Sequence, residues 1–423
     1  MIKNFIINYF DLGNYNLLFL VIGIFLSLIV AISAWRKIHK NKKWFYFLFF
    51  FYIISFSITI TTNNWFLFVG GWELVSVITA LMLLWDNNST AWKYLIIQLI
   101  GGSFLIYAVL VAHTNGYTQI GPIEETWLQN MFILGLGFKS SIFGLHFWIP
   151  MIYREASSTF CAISSGWVAK LGFITYLKII TDGNQLLLYA GVLMVFYGGL
   201  RALRENNYKV ILGYSSISQL GFIALGIGSG TKYGYLGAVI HIIAHGLAKT
   251  TLFSGASNLI REYGSVLIND FVNCQTRQQI NSITTFMSFL SLIGIPLFAG
   301  YNSKHLIKYS LDHHPFFIII LHIGSIITVL YSLRVLWFIM FKHSKLDFSY
   351  FRPEKNCQRN YILNSIEKIT LLLPVLILIV FGIFSNQILN INMKFDILTG
   401  FLFSFVYIFI GVRLYFANYI RNE

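Results

Sequence analysis

The chain has 423 residues, 57% of them hydrophobic and only 11% charged, and its mean hydropathy of +0.69 excludes the soluble globular class. The formal net charge is +14, and much of it lies in three short stretches at residues 36–43, 201–209 and 342–359. Basic loops beside membrane spans face the cytoplasm, so this charge reflects topology and not a nucleic-acid partner. We therefore predict a multi-pass protein of the cell inner (plasma) membrane.

Apolar runs long enough to cross a bilayer recur along the whole chain. A run of about 18 residues suffices for one helical crossing. The sequence holds thirteen such runs, and a short, polar fourteenth is expected between Gly300 and His314. We predict an all-α polytopic membrane protein of about 13–14 transmembrane helices, with an external N-terminus that places the basic loops inside. The predicted spans are residues 16–35, 44–61, 64–85, 92–113, 129–149, 158–180, 186–203, 209–229, 233–258, 283–299, 315–341, 363–386 and 396–417.

The cysteine and glycine patterns argue against a cofactor in this chain. Cys161, Cys274 and Cys357 lie far apart without a CxxC pair, which excludes iron–sulfur ligation and a disulfide framework. The glycines of residues 226–230 lie at the end of a membrane span and not after a strand, so they do not form a nucleotide loop. We expect no cofactor here, and any redox or ATP chemistry belongs to a partner.

The third predicted span is the first to carry an interior charge, at Glu73. This residue follows the glycine pair Gly70–Gly71, which lets another helix approach closely. A carboxylate in an apolar run then needs a partner or a bound proton. The alternative is a glutamate that extends to the membrane interface.

The fifth predicted span contains Lys139, about nine residues from either end of the run. Its side chain reaches neither interface easily, so Lys139 is the strongest single candidate for a functional intramembrane base. A buried lysine whose charge depends on a nearby carboxylate is a switchable proton carrier. Gly135, Gly137 and Gly144 predict a broken or tightly packed helix that admits water.

Two further spans combine polar groups. Lys170, on the sixth span, follows a hydroxyl-rich half, and it is either a relay group or a charge that pairs with another helix. The eighth span carries a patch at residues 214–219 whose hydroxyls are suited to bridging neighbouring helices.

The ninth span holds three ionisable groups on one helical face. His241, His245 and Lys249 are spaced i, i+4, i+8, and each step rises about 6 Å. A cationic side chain near the bilayer centre costs roughly 2.5–3.5 kcal/mol, so three in one span require a polar path or partners. We interpret the stripe as an ion or proton route. Hydrogen bonds to neighbouring helices are the structural alternative.

The tenth span is interrupted just before a lysine. Pro296, Gly300 and Asn302 predict a backbone break, which at membrane depth survives only against protein or water. Lys304 is therefore a candidate exit group, with an interfacial lysine as the alternative.

Five motifs now occur in order: GWE, KSSIFGLHFWIP, LGYSSISQLGF, HGLAKTTLF and GIPLFAGYNSK, ending at Lys304. Together they resemble the antiporter-like subunits, the large proton-translocating membrane subunits of respiratory complex I, membrane-bound hydrogenases and Mrp-type sodium/proton antiporters. On this basis residues 62–310 are predicted to be the proton-translocating core. Transmembrane helices at 1–61 precede it, and transmembrane helices at 311–423 follow it.

The resemblance implies two inverted five-helix repeats, each with a broken helix, joined by a polar axis at mid-membrane. It implies that Glu73 modulates Lys139 and that separation of the two releases the proton of the lysine. His241 and His245 are then relay groups, and Lys249 is the central lysine of the second half. Lys304 gates the exit, and Lys170 completes the predicted relay set.

The sequence departs from the family pattern at several positions. Ser164 stands where a relay histidine is frequent, so Lys170 or a file of water at Ser164 is the expected substitute. Gly144 replaces a common proline, and residues 156–159 replace a proline-rich segment. Glu73 lies on the third predicted span, where the family usually has it on the fifth.

Three functions remain open from the sequence. The first is a non-redox, proton-translocating subunit of a complex I-like NADH:quinone oxidoreductase or hydrogenase. The second is a subunit of an Mrp-type Na⁺/H⁺ antiporter, and the third is a proton-conducting partner in inorganic-carbon uptake. The expected partners are other membrane subunits, the lipid bilayer, protons and, for the second function, Na⁺.

Overall fold

A computed structural model describes residues 14–38, 41–271, 274, 278–341, 363–388, 400, 404 and 406–409. Within this part of the chain the structure contains helices and no strand. The helices are α1 Asn14–Ala34, α2 Lys42–Thr61, α3 Trp65–Leu83, α4 Asn88–Thr114, α5 Thr126–Ser140, α6 Trp148–Glu155, α7 Ser158–Gly166, α8 Leu171–Ile179, α9 Gln185–Arg204, α10 Tyr208–Gly228, α11 Lys232–Tyr263, α12 Gln279–Ile293, α13 Ala299–Ser310, α14 Pro315–Leu336 and α15 Ser365–Ile388. Short 3₁₀ turns lie at Val168–Lys170 and Ile268–Asp270, and a π-helical turn at Trp337–Phe341 follows α14.

Polar side chains begin many of these apolar helices. The first N–H groups of a helix have no partner within it, and a side-chain oxygen at the N-cap accepts from them. The side chains that do so are Asn64, Asn87, Ser157, Asn184, Asn207 and Thr231, at the starts of α3, α4, α7, α9, α10 and α11.

Ten helical segments are long and apolar enough to cross a membrane, counting α7–α8 as one. Two further crossings are assembled from the half-helix pairs α5–α6 and α12–α13. The all-α, multi-pass prediction is confirmed, and the predicted short helix between residues 300 and 314 is α13, the second half of a broken crossing. The predicted span 396–417 lies almost entirely outside the described residues.

The predicted span 129–149 is broken, as its glycines indicated, and α5 ends at Ser140. Ser141 and Gly144 have left-handed φ angles of 58° and 89°, which terminate a right-handed helix. Lys139 therefore lies in the last turn of α5 and not nine residues from a helix end. The expected break near Lys304 is confirmed, but it begins at Gly294 with φ 94°, and Gly300 and Asn302 lie inside α13.

The loops divide between two faces. We call one the basic face, since both described basic loops lie there. Two of its segments are in contact, because Lys209 Nζ donates to Ala156 O at 2.6 Å. On the opposite face, Asn184 N donates to Gly228 O at 3.0 Å. The basic face carries residues 35–38, 84–87, 156–157, 205–207 and 264–271. The opposite face carries residues 62–64, 115–125, 180–184, 229–231 and 311–314.

Two repeats of five crossings follow from this order. The first repeat runs from α2 to α8 and the second from α9 to α14, and the fourth crossing is broken in each. Because five is odd, the first repeat starts at the basic face and the second at the opposite face. The predicted inverted repeats are thus present.

The repeats meet at a fully enclosed centre. The spans of α10 and α11 are 100% buried and that of α7–α8 is 94% buried, whereas α4 is only 39% buried. Helices that are buried all round and carry polar groups line interior paths in membrane proteins. The predicted relay residues Lys170, His241, His245 and Lys249 lie in these enclosed segments.

Candidate functional site

Lys139 is held by the residue next to Glu73. Its Nζ donates to Trp72 O at 2.5 Å and lies 4.0 Å from the centroid of the Trp72 ring. Both carboxylate oxygens of Glu73 are buried without a hydrogen-bond partner. The described residues contain no ion pair between Glu73 and Lys139. Lys139 therefore contacts the residue next to Glu73, but its ammonium group forms no ion pair with the Glu73 carboxylate.

Glycines on α4 make room for this pair. A Cβ atom added at Gly102 would collide with the Glu73 carboxylate, and one at Gly101 would collide with Phe138. Of the glycine pair before Glu73, Gly71 packs against Thr59 of α2, but Gly70 faces open space. The sequence thus indicated close helix packing at Glu73 but missed the glycines that contact it.

Three lysines of the predicted relay lie at helix C-termini. Lys139 is in the last turn of α5, and Lys170 Nζ donates to Ser165 O in the last turn of α7. Lys304 Nζ donates to the final carbonyls of α12, at 2.6 Å to Leu292 O and 3.4 Å to Ile293 O. The last carbonyls of a helix lack intrahelical donors and carry partial negative charge. The C-terminal ends of α7 and α12 therefore supply acceptors for the Lys170 and Lys304 ammonium groups, whereas Lys139 donates to Trp72 O within α3.

Lys249 is held differently, halfway along the unbroken α11. Its Nζ donates to Ser215 Oγ at 2.5 Å and to Leu212 O at 2.9 Å, both on α10. Lys170, Lys249, His241 and His245 are all at most 1% exposed.

A bridge of serine hydroxyls joins the two repeats. The sequence predicted this link at Ser164, one residue before the serine that forms it. Ser165 Oγ is 2.7 Å from Ser216 Oγ, which donates to Leu212 O at 2.8 Å. Since Ser216 donates to Leu212, Ser165 donates to Ser216. Lys170 binds one end of this bridge and Lys249 the other. Ser164, the expected substitute, instead pairs with Tyr153 at 3.1 Å.

The histidines continue from Lys249 toward the opposite face. The rings of His241 and His245 are nearly parallel, with centroids 6.3 Å apart. His241 Nδ1 lies 2.8 Å from Ser303 Oγ on α13, and both ring nitrogens of His245 are buried without a hydrogen-bond partner. Phe222 stands between His241 and Lys304, 5.9 Å from the His241 ring and 4.4 Å from Lys304 Nζ.

Beyond Lys304, a cavity of about 260 Å³ extends to the loop that carries Asp312 on the opposite face. Its walls include Lys308, which donates to Tyr407 OH at 2.9 Å, and His322, which also contacts Tyr407. Neither Lys308 nor His322 was predicted from the sequence. Lys308 lies in the last turn of the short helix α13 and His322 is a lone histidine, so the sequence did not distinguish either from an interfacial residue.

Several buried polar atoms among the predicted relay residues have no hydrogen-bond partner. Besides Glu73 and His245, the buried atoms without a partner include Ser141 Oγ, His241 Nε2 and Thr250 Oγ1. Buried polar groups without protein partners are met by water, which commonly makes about three hydrogen bonds in such sites. Among the described residues, no group of three His, Cys, Asp or Glu side chains is placed to hold a metal ion. The arrangement is suited to protons and water.

Comparison with known proteins agrees with this architecture. Residues 62–328 match the family model described as NADH:quinone oxidoreductase/Mrp antiporter, transmembrane. The chain belongs to this family. This member is 26% identical over 343 residues to NAD(P)H-quinone oxidoreductase chain 4, chloroplastic, of Chlorokybus atmophyticus, covering 74% of this chain and 67% of that one. The corresponding protein of Adiantum capillus-veneris is 26% identical over 404 residues, covering 87% and 79%.

Two solved structures share the fold of this antiporter-family chain. One belongs to respiratory complex I from Thermus thermophilus, with a TM-score of 0.75, 20% identity, and 90% of this chain and 88% of that one covered. The other belongs to a membrane-bound sulfane sulfur reductase, an archaeal respiratory complex, with a TM-score of 0.76, 22% identity and coverage of 96% and 84%. Both neighbours are parts of multisubunit membrane complexes.

Proposed function

We propose that this chain moves protons across the membrane as a non-redox subunit of a complex I-like assembly, of the NADH:quinone oxidoreductase or hydrogenase type. The observation that carries the proposal is the line of buried ionisable groups through the centre of both repeats. It comprises Glu73, Lys139, Lys170, Lys249, His245, His241 and Lys304.

In the first repeat, Glu73 and Lys139 form the switch. In this proposal, the separated arrangement is the one in which Lys139 donates to Trp72 O and the Glu73 carboxylate has no hydrogen-bond partner. Approach of the carboxylate stabilises the charged lysine, and separation favours loss of its proton. The bridge from Lys170 to Lys249 passes this change to the second repeat.

In the second repeat, Lys249 hands its proton to the two histidines, and Lys304 releases it into the cavity at the opposite face. At a driving force of about 180 mV each proton costs roughly 4 kcal/mol, from about 2.3 kcal/mol per 100 mV. A tenfold change in proton affinity is worth about 1.4 kcal/mol. A change of about a thousandfold in the proton affinity of one switching group therefore supplies that free energy.

The site chemistry favours protons over Na⁺. Hard cations prefer oxygen ligands, and Glu73 is the single carboxylate among the seven relay groups. We further propose that the chain resides in the cell inner (plasma) membrane with its basic face in the cytoplasm. Redox chemistry belongs to partner subunits, and the chain itself holds no cofactor.

The test of this function is purification of the tagged chain in mild detergent, followed by mass spectrometry and an absorbance spectrum. Co-purifying flavin or iron–sulfur subunits support the redox-driven assembly. Small hydrophobic partners without a chromophore, with Na⁺-dependent transport, would show an antiporter instead. A lone zinc-binding partner would show inorganic-carbon uptake.

A further inference from the structure

A second set of unsatisfied polar groups lies outside the relay, at the basic-face ends of α10, α11 and α12. Tyr208, Ser254, Asn258, Asn281 and Ser282 are each at most 3% exposed. Each has a side-chain oxygen that is buried without a hydrogen-bond partner. We call these five residues the polar seam.

The seam lies along the contact between α11 and α12. Asn281 Nδ2 donates to Gly255 O at 3.1 Å, and Gln278 Nε2 donates to Asn258 O at 3.3 Å. A Cβ atom at Gly255 would collide with Asn281 Oδ1, so this glycine admits the amide. The amide N–H groups thus join the two helices, while the side-chain oxygens of Asn258 and Asn281 have no donor.

Helix–helix adhesion alone does not account for this pattern. Polar side chains that hold membrane helices together do so by pairing donors with acceptors across the contact. Here five oxygens on three helices stay unpaired, and a buried oxygen without a donor is destabilising. Water is the small donor that satisfies such oxygens.

The seam leads to Lys249. Ser254 lies five residues beyond Lys249 on α11, about 7.5 Å along the helix axis. On α10, Tyr208 is one turn from Leu212, whose carbonyl accepts from Lys249. The inner end of the seam therefore lies between one and two helical turns from Lys249 along α11 and from its acceptor Leu212 along α10.

A titratable group in a basic-face loop also reaches the seam, at Ser254. Lys37, in the loop after α1, donates from Nζ to Ser254 O at 3.3 Å. Burial lowers the pKa of Lys37 to about 7, against the opposing effect of Glu367 and together with that of Arg261. A lysine with this pKa exchanges protons readily at neutral pH.

The bridge between the repeats does not itself supply Lys249 with a proton, so Lys249 requires another proton source. Both of its ends are backbone carbonyls, Ser165 O toward Lys170 and Leu212 O toward Lys249. A carbonyl accepts hydrogen bonds but has no proton to pass on. The bridge therefore couples the charge of Lys170 to Lys249 without supplying Lys249 with a proton.

We propose that the polar seam is hydrated and delivers protons from the basic face directly to Lys249. This inference rests on the proposed function, because it names the source of the proton that the second repeat releases. The Glu73–Lys139 switch then drives release electrostatically, and the seam reloads Lys249 for the next cycle.

Thiol accessibility tests the hydration without relying on transport. In a chain whose three cysteines are replaced by serine, Ser254→Cys is exposed to a small, charged, membrane-impermeant methanethiosulfonate from either face. Ser218→Cys is the control, because Ser218 is equally buried, lies at similar depth on α10, and donates to Val195 O off the seam. Thiolates form in water, so we expect Ser254→Cys to react at least about tenfold faster than the control, and from the basic face alone.

Equal, slow reaction of the two cysteines would overturn the hydrated seam. If Ser254→Cys fails to assemble, Asn281→Cys takes its place with the same expectation. Either result bears on the seam alone, since the labelling requires no proton pumping.

Transport then tests the delivery. The double variant Ser254→Ala and Ser282→Ala removes two unsatisfied hydroxyls, a change that leaves stability nearly unaffected. We expect proton pumping to slow several-fold while assembly is normal, and the Ser218→Ala control to pump at the unmodified rate. Pumping at the normal rate in the double variant, with Lys249→Ala inactive, would overturn the seam and leave the proposed function standing. Normal pumping in Lys249→Ala as well would overturn both.

Discussion

The two repeats share a backbone plan but hold their charges in opposite ways. In the first, Lys139 and Lys170 lie at the ends of interrupted helices, and a carboxylate, Glu73, lies beside the first of them. In the second, Lys249 lies inside a continuous helix, and histidines take the place of the carboxylate. This contrast fits the roles that we propose, an electrostatic switch in the first repeat and a proton conduit in the second.

The strongest way to break this contrast is to remove the carboxylate. In Glu73→Gln the first repeat keeps its shape but can no longer favour the charged form of Lys139. We expect pumping to fall at least about a hundredfold, equivalent to ~2.7 kcal/mol, with assembly intact. Dye-monitored acidification of proteoliposomes measures this loss. Glu124→Gln, on the exposed loop of the opposite face, should pump normally, and full activity in Glu73→Gln would contradict the switch.

A subtler change displaces the carboxylate without removing it. Gly102→Ala puts a methyl group into the space that the Glu73 carboxylate occupies. We expect pumping to fall about tenfold, or ~1.4 kcal/mol, because the carboxylate must move from its place beside Trp72 and Lys139. Gly70→Ala is the matched control, since nothing lies within 4 Å of its added Cβ. Equal rates in the two variants would show that the position of Glu73 is unimportant.

Cutting the bridge should weaken the coupling between the repeats. Ser216→Ala removes the hydroxyl that links Ser165 to Leu212 O. We expect a loss of about three- to tenfold in pumping, in line with the ~1 kcal/mol of one buried hydrogen bond. Ser216→Thr restores the hydroxyl and should recover most of the rate. Failure of threonine to recover any activity would indicate a packing effect instead.

The smallest effect tests what the repeats have in common. Asn64 caps α3 in the first repeat and Asn207 caps α10 in the second, each accepting two backbone N–H groups. Asn64→Ala and Asn207→Ala should each lower the free energy of unfolding by about 0.5–2 kcal/mol, with pumping retained. Thermal unfolding in detergent measures both. A large loss of pumping in only one variant would show that its cap belongs to the transport path.

Much of the fold was predictable because long apolar runs in the sequence identify membrane helices directly. An apolar run of sufficient length has little alternative to a helix in a bilayer, so ten of the twelve predicted spans up to residue 386 are long apolar helices. The other two, 129–149 and 283–299, belong to broken crossings. The helix breaks were only partly predictable from the sequence. Pro296 indicated one of them, but the break starts at Gly294, in a left-handed turn that composition does not specify.

The ionisable groups of the candidate site were also recognisable in the sequence, because a charged residue within an apolar run is unusual. Their partners were not. Whether Ser164 or Ser165 contacts α10 depends on helix rotation, and the role of Gly102 depends on which helix packs against Glu73. These are tertiary contacts between residues distant in sequence, which a single sequence does not encode in any local pattern.

The central claim is that Lys249 carries the proton that leaves at the exit of the second repeat, and that the switch of the first repeat drives this release electrostatically. The most direct measurement is proton release from sealed proteoliposomes that contain the intact complex with Lys249→Ala, beside Lys93→Ala, an exposed lysine at the basic-face end of α4. The account predicts that Lys249→Ala assembles but pumps no protons, while Lys93→Ala pumps as the unmodified complex does. Undiminished pumping by the assembled Lys249→Ala complex would contradict it.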